Sequence, residues 1–114
     1  IGTAHGLYKG QPKLDFDRLS LIKERVNIPL VLHGGSGVSD SAIKEAIKRG
    51  ICKINIATEL KIPMANAIQQ VFADNPQEID PRKYMGDAKQ AVKETARRKI
   101  QLCGSSHRAW EGIR

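Results

Sequence analysis

Two histidines of the chain each follow a short, mostly apolar segment. His5 comes after Ile1-Gly2-Thr3-Ala4, and His33 comes after Leu30-Val31-Leu32. A single histidine at the end of a strand is commonly a hydrogen-bonded structural residue, but neutral imidazoles also bind zinc. Because two histidines occupy equivalent places, a metal site and a structural role are equally good interpretations. His107 lies in the C-terminal tail with poor spacing for a third ligand, so we expect that ligand to come from outside this chain.

A turn rich in glycine follows the second histidine directly. Gly34-Gly35-Ser36-Gly37 precedes a predicted helix, and its backbone N–H groups and hydroxyl are groups that bind phosphate oxygens. Its spacing matches neither the P-loop nor the dinucleotide-binding motif, and a plain tight turn explains it equally well. Asn55-Ile56-Ala57-Thr58 forms a second polar segment before a helix, for which capping of that helix by Thr58 is the alternative.

Lysine and cysteine alternate in the segment that leads to Asn55. Lys53 shares a strand face with Asn55 and could act as a Schiff-base nucleophile, although a structural ion pair is the favoured interpretation. Cys52 points to the other face, and we expect it to be a core residue. Two cysteines are too few for a disulfide scaffold and fit a reducing compartment.

Short apolar runs alternate with helical periodicity along the chain. We predict strands over residues 1–3, 30–32 and 51–57, and helices over 15–26, from Ser39 or Asp40 to Gly50, over 60–73 and over 81–102. Such alternation is typical of a parallel α/β sheet, in which the carboxyl ends of the strands meet at one mouth. The residues that we expect to converge there are His5, His33, Ser36, Asn55 and Thr58. A (β/α)₈ barrel needs about 250 residues, so the chain, which opens on Ile1 rather than Met, is expected to be a C-terminal part of one.

The positive charge is concentrated near the C-terminus. The chain has a formal net charge of +7, and residues 88–114 contain seven Lys/Arg against two Glu. Lys89, Lys93 and Arg97 follow i, i+4 spacing, which is typical of a solvated helix face. Aromatic residues that could stack on bases are scarce, which argues against nucleic-acid binding. No run of 18 apolar residues is present, so we expect no membrane span.

Several longer motifs resemble those of class II (zinc-dependent) ketose-bisphosphate aldolases. They are Ile1-Gly2-Thr3-Ala4-His5-Gly6, Pro29-Leu30-Val31-Leu32-His33-Gly34-Gly35-Ser36-Gly37, Cys52-Lys53-Ile54-Asn55-Ile56-Ala57-Thr58-Glu59-Leu60-Lys61, Asp80-Pro81-Arg82-Lys83-Tyr84 and Cys103-Gly104-Ser105. Together they cover essentially the whole chain. The sequence of the segment Ala57-Thr58-Glu59-Leu60 resembles the tagatose-1,6-bisphosphate branch more than the fructose branch.

The resemblance implies a fold class and a division of the chain. The fold would be α/β, the C-terminal part of a TIM (β/α)₈ barrel with about three strands, their helices and a C-terminal helix. Residues 1–114 would belong to that single domain, with 80–114 as a helical extension and tail. The family's first zinc-ligating His and its catalytic acid/base Asp would lie in a missing N-terminal part. No acid/base residue is therefore assigned within this chain, which alone is expected to be inactive.

The resemblance also implies a ligand set. His5 and His33 would bind Zn²⁺, a monovalent cation (Na⁺ or K⁺) could lie beside the phosphate, and Arg108 could reach a second phosphate across a subunit contact. The residues implied to hold dihydroxyacetone phosphate are Gly6, Gly34, Gly35, Ser36, Asn55, Ile56, Ala57 and Thr58.

The implied activity is reversible cleavage of a ketose 1,6-bisphosphate, with tagatose preferred over fructose. The products would be dihydroxyacetone phosphate and glyceraldehyde 3-phosphate, with zinc stabilising the enediolate. The resemblance implies a cytoplasmic homo-oligomer, a dimer or tetramer, that binds neither nucleic acid nor membrane. Two alternatives remain open: a metal-free phosphosugar enzyme that uses Lys53, and a non-catalytic fragment or interaction module whose surface is the basic helix.

Overall fold

The computed structural model describes residues 1–4, 6 and 8–109. Its elements are α1 (Phe16–Arg25), β1 (Leu30–Leu32), α2 (Asp40–Lys48), β2 (Ile51–Ile54), α3 (Thr58–Asp74) and α4 (Pro81–Leu102). All four predicted helices are confirmed, α4 with the predicted bounds. The predicted strand 51–57 is shorter, since β2 ends at Ile54.

Local capping explains where the first two helices begin and end. The Asp15 carboxylate accepts a hydrogen bond from the Arg18 N–H at the start of α1. Of the two candidate caps for α2, Ser39 is the one used, and its side chain accepts from the Ala42 N–H. Gly50 follows α2 with a φ of 103°, a conformation that favours glycine and turns the chain into β2.

The two strands pair in parallel with one irregularity. Leu30 pairs with Ile51, Val31 with Lys53 and Leu32 with Ile54, so Cys52 is an extra residue in the ladder. The Cys52 side chain is exposed, and the prediction that it belongs to the core is wrong. The irregular register breaks the alternation from which that prediction was made.

The third predicted strand, residues 1–3, is absent from the described part of the chain, where the sheet has two strands. The Tyr8 hydroxyl accepts a hydrogen bond from the Ala4 N–H and lies within donating distance of the Ala4 carbonyl. Because the Ala4 N–H is bonded to the phenol, it is not available to extend a ladder beside β1. The segment is instead tied to α1, where the Asp15 N–H donates to the Ile1 carbonyl at 2.9 Å.

One side of the sheet carries the core, which lies against α1 and α2. Its buried members are Leu14, Leu19, Leu32, Val38, Ile43, Ala46 and Ile51. On β1, Val31 is 48% exposed, so the side of the strand opposite the buried Leu32 is open. Helices α3 and α4 pack as an antiparallel pair in which the Phe72 and Tyr84 rings lie 5.2 Å apart. No helix within the described residues has the length and hydropathy needed to cross a membrane.

Candidate active site

A cavity lies beyond the carboxyl ends of the two strands. The residues that line it are Ala4, Gly6, His33, Gly34, Ser36, Asn55, Ile56, Ala57 and Thr58. It therefore brings together two segments that are about twenty positions apart in sequence, the turn after β1 and the segment after β2. Most residues that the sequence singled out for ligand binding lie around this one cavity.

His33 is held by a short chain of side-chain hydrogen bonds. The Asn55 Nδ2 lies 2.7 Å from the His33 Nδ1, and the Lys53 Nζ donates to the Asn55 Oδ1 at 2.5 Å. A lysine ammonium can only donate, so it fixes the amide oxygen as the acceptor and leaves the amide nitrogen as the donor. The His33 Nδ1 is consequently the acceptor of this contact, which requires that nitrogen to carry no proton.

The glycines of the turn allow a close approach of three backbone segments. Gly34 has a φ of 69°, and a Cβ at this position would collide with the Ala4 carbonyl. The Gly35 N–H donates to the Asn55 carbonyl at 2.8 Å. Gly35 is buried and does not line the cavity, so its contribution is to join the ends of β1 and β2.

Ser36 caps α3 from a different loop. Its buried hydroxyl oxygen lies 3.1 Å from the Ala57 nitrogen and 3.3 Å from the Glu59 nitrogen, and it accepts from both N–H groups. The N-cap position of α3 is Ala57, so the alternative in which Thr58 caps this helix is wrong. Accepting these two bonds leaves the O–H of Ser36 as a donor that can be directed at an anion.

Glu59, at the start of α3, links the turn to the last residues of α4. Its Oε2 accepts from the Gly37 N–H at 3.4 Å, while its Oε1 lies 2.6 Å from the Lys99 Nζ and 3.1 Å from the Arg98 Nη2. Sequence reasoning placed Glu59 only at a helix start and missed these contacts. One signal was available: helical spacing places Lys99 on the same face of α4 as the apolar residues Ala88 and Val92.

Tyr8 is a second residue that the sequence analysis missed. Its hydroxyl lies 2.7 Å from the Ala4 nitrogen, 2.9 Å from the Ala4 oxygen and 3.0 Å from the Gly34 oxygen. Its single proton can be donated to one of these carbonyls at a time. The ring lies against Gly37, so the phenol covers one end of the turn. Its place between Gly6 and Gly10, as the aromatic residue of a glycine-rich loop, was the available signal.

Among the singled-out residues that the structure describes, Arg108 is not gathered into this site. His5 lies outside the described residues. Arg108 follows α4, where its N–H donates to the Ser105 carbonyl, and it does not line the cavity. Within residues 1–4, 6 and 8–109, no group of three His, Cys, Asp or Glu side chains could hold a metal ion.

Comparison with known proteins identifies the family. The family model described as "Fructose-bisphosphate aldolase class-II" matches residues 1–108. The YdjI aldolase from Escherichia coli K12 is 42% identical, with a TM-score of 0.82, over 96% of this chain and 39% of its own.

A more distant structure has the same fold. The fructose-bisphosphate aldolase from Campylobacter jejuni is 22% identical with a TM-score of 0.73, over 91% of this chain and 38% of its own. At this identity the similarity concerns the fold alone. The chain thus spans about two-fifths of the length of the structures that it matches. Since the family model extends over nearly all of its residues, the chain belongs to the class II fructose-bisphosphate aldolase family.

Proposed function

We propose that this chain contributes a phosphosugar site to an enzyme that reversibly cleaves a ketose 1,6-bisphosphate into dihydroxyacetone phosphate and glyceraldehyde 3-phosphate. The observation that carries the proposal is the cavity at the carboxyl ends of β1 and β2. In a member of this aldolase family, that cavity collects an imidazole, a glycine–serine turn and the start of a long helix.

We propose further that residues 1–114 form the C-terminal part of a (β/α)₈ barrel, with 80–114 as its helical extension. Two parallel strands, each followed by a helix, are the repeating unit of such a barrel. The exposed Val31 side of β1 and the exposed Lys53 would then face the barrel interior. The remaining strands, a third zinc-ligating His and an acid/base Asp are proposed to lie in a segment that precedes Ile1.

The phosphate of dihydroxyacetone phosphate would lie between the glycine–serine turn and the start of α3. Backbone N–H groups and the positive end of the helix dipole favour an anion at such a place. The Ser36 hydroxyl can donate to it, and a monovalent cation (Na⁺ or K⁺) beside the phosphate would balance part of its charge. Fixing the phosphate orients the three-carbon half of the substrate and so lowers the entropic part of the barrier.

His33 lies on the cavity wall, and a neutral imidazole is a zinc ligand; a metal ion at its Nδ1 would take the place of the Asn55 Nδ2. Asn55 holds the ring in one orientation, and Lys53 fixes the amide of Asn55. We propose His33 and His5 as two of the ligands. When bound, zinc would supply Lewis-acid stabilisation of the negative charge that develops next to the carbonyl as the C3–C4 bond breaks.

Substrate preference, assembly and location are proposals that rest on sequence resemblance. The sequence of the segment Ala57-Thr58-Glu59-Leu60 supports a preference for tagatose 1,6-bisphosphate over fructose 1,6-bisphosphate as substrate. A homo-oligomer, a dimer or tetramer, would allow Arg108 of one subunit to reach the second phosphate in another. The compartment that we propose is the cytoplasm.

The proposal is tested by assaying the native protein with both sugar bisphosphates, with and without a chelator, and by borohydride treatment in the presence of substrate. We expect release of dihydroxyacetone phosphate, a higher kcat/KM for the tagatose substrate, and loss of activity with the chelator. Borohydride reduction of an imine that leaves the substrate covalently attached to the Lys53 Nζ would instead show the metal-free Schiff-base enzyme. Intact mass and zinc content of the same sample show whether it holds only this chain and whether it binds zinc.

A further inference from the structure

Lys99 is a buried cation in α4, a helix in which most of the other charged side chains are exposed. Its side chain is 8% exposed, and its Nζ lies 2.6 Å from the Glu59 Oε1 and 3.7 Å from the Asp40 Oδ1. Burying an ammonium group is costly unless an opposite charge lies next to it. Because the contact to Glu59 is much the shorter, Glu59 is the principal counter-charge of Lys99.

Glu59 is in turn bonded to the turn that forms the wall of the cavity. Its Oε2 accepts from the Gly37 N–H, and its own N–H donates to the Ser36 hydroxyl oxygen. The turn and the start of α3 therefore hold each other through two reciprocal bonds. The carboxylate also places a negative charge beside N–H groups that an anionic ligand would use.

We propose that Lys99 is a positioning residue of the phosphate-binding turn. It holds the Glu59 carboxylate against Gly37 and cancels the charge of that carboxylate, so that a phosphate group can approach the turn without repulsion. The inference rests on the proposed function, since it takes the turn as the phosphate site. It also gives α4 a part in ligand binding, although none of its residues lines the cavity.

Arg98 contacts the same carboxylate oxygen but is not equivalent to Lys99. The Arg98 side chain is 62% exposed, so water screens its charge. The Asp40 Oδ1 lies 3.7 Å from the Lys99 Nζ and adds a second, weaker attraction. Loss of Lys99 would leave Glu59 with the screened Arg98 alone, close to the anion site.

The test is titration of inorganic phosphate into the native protein, followed by calorimetry, with Lys99→Met, Glu59→Gln and the double variant. Methionine keeps the length of the side chain, and glutamine keeps an acceptor for the Gly37 N–H. We expect Lys99→Met to weaken phosphate binding about tenfold, and the double variant to return to within about threefold of the unsubstituted protein. Lys93→Met, which removes an exposed charge from the same helix, is the matched control and should change the affinity less than about twofold.

The outcomes separate the inference from the proposed function. If the unsubstituted protein binds no phosphate at the turn, the proposed function fails. If it binds phosphate and Lys99→Met binds equally well, or if the double variant is as weak as the single one, Lys99 has only a structural role and the inference is overturned. Should Lys99→Met fail to fold, Glu59→Gln decides: affinity equal to or above that of the unsubstituted protein supports the inference, and a tenfold loss contradicts it.

Discussion

At the scale of single residues, side chains of the cavity wall make hydrogen bonds within the protein and are also proposed to bind a ligand. Ser36 caps α3 with the same hydroxyl that is proposed to bind phosphate, and Asn55 orients His33 from the neighbouring strand end. The sequence could show that Ser36 stands in a phosphate-compatible turn. It could not show the cap, because the two N–H groups that Ser36 satisfies lie more than twenty positions away and come close only through strand pairing.

Ser36→Ala tests this double role. Removal of the hydroxyl leaves the Ala57 and Glu59 N–H groups without their acceptor, and we expect the free energy of unfolding to fall by about 1 kcal/mol. Phosphate affinity should fall about tenfold, because a charge-assisted hydrogen bond is lost. Denaturant unfolding and phosphate titration measure the two effects. Ser105→Ala, at an exposed serine after α4, is the control; an equal loss of affinity in that variant would contradict the assignment.

Tyr8→Phe tests the attachment of the N-terminal segment. The change removes only the hydroxyl, so the Ala4 N–H loses its partner while the ring still covers Gly37. We expect a loss of about 1 kcal/mol in unfolding free energy and faster hydrogen exchange at the Ala4 amide. Tyr84→Phe, on α4, is the matched control. Unchanged exchange at Ala4 in Tyr8→Phe would show that the hydroxyl does not hold this segment.

At the scale of elements, helices were predicted well and strand limits less well, for a physical reason. Asp15, Ser39, Gly50 and the Asp80-Pro81 pair are local signals that act on the nearest backbone groups. A strand depends on the partner that its backbone finds elsewhere. Residues 1–3 have strand-like side chains, but the phenol of Tyr8 accepts from the backbone N–H of the adjacent Ala4.

The connection between α3 and α4 should be sensitive to acid. The Lys83 ammonium and the Asp80 N–H, both bonded to the Glu78 carboxylate, lower the pKa of Glu78 below its usual value of 4.5. A lowered pKa in the folded state means stabilisation that is complete above about pH 4.5 and is lost as the pH falls through the folded-state value. We expect Glu78→Gln to lower the thermal midpoint at pH 7 and to have little effect at a pH below the folded-state pKa of Glu78, where the native carboxylate is itself protonated.

The measurement is thermal unfolding of Glu78→Gln and of the unsubstituted protein at a series of pH values from 7 downward. Glu24→Gln, at an exposed position of α1, is the control for removing one negative charge. A difference between Glu78→Gln and the unsubstituted protein that stays constant across the pH range would contradict the proposed stabilisation.

At the scale of the whole molecule, the apolar packing of the sheet is concentrated on one side. The core lies on one side of the β1–β2 pair, and Val31 on the other side is open to solvent. A parallel sheet is usually covered on both faces. The alternation of strands and helices in the sequence predicts a sheet of this kind. The contact between Lys99 and Glu59 could not be predicted, because it depends on how the α3–α4 pair packs against the turn.

The basic stripe of α4 and the cavity make competing predictions for where an anionic ligand binds. Lys89, Lys93 and Arg97 are exposed, and Lys93 and Arg97 line a separate cavity that contains no strand residue. The cavity offers N–H groups, a hydroxyl and a helix start. A ligand bound through its charge alone would bind at the stripe. A ligand recognised by its phosphate and carbon skeleton would bind in the cavity.

The most direct test is a map of backbone amide chemical shifts during titration with dihydroxyacetone phosphate. We predict saturable shifts at Gly34–Gly37 and Asn55–Thr58, with residues of the basic stripe unchanged. Saturable shifts confined to Lys89, Lys93 and Arg97, with none at the cavity, would contradict the assignment of this site.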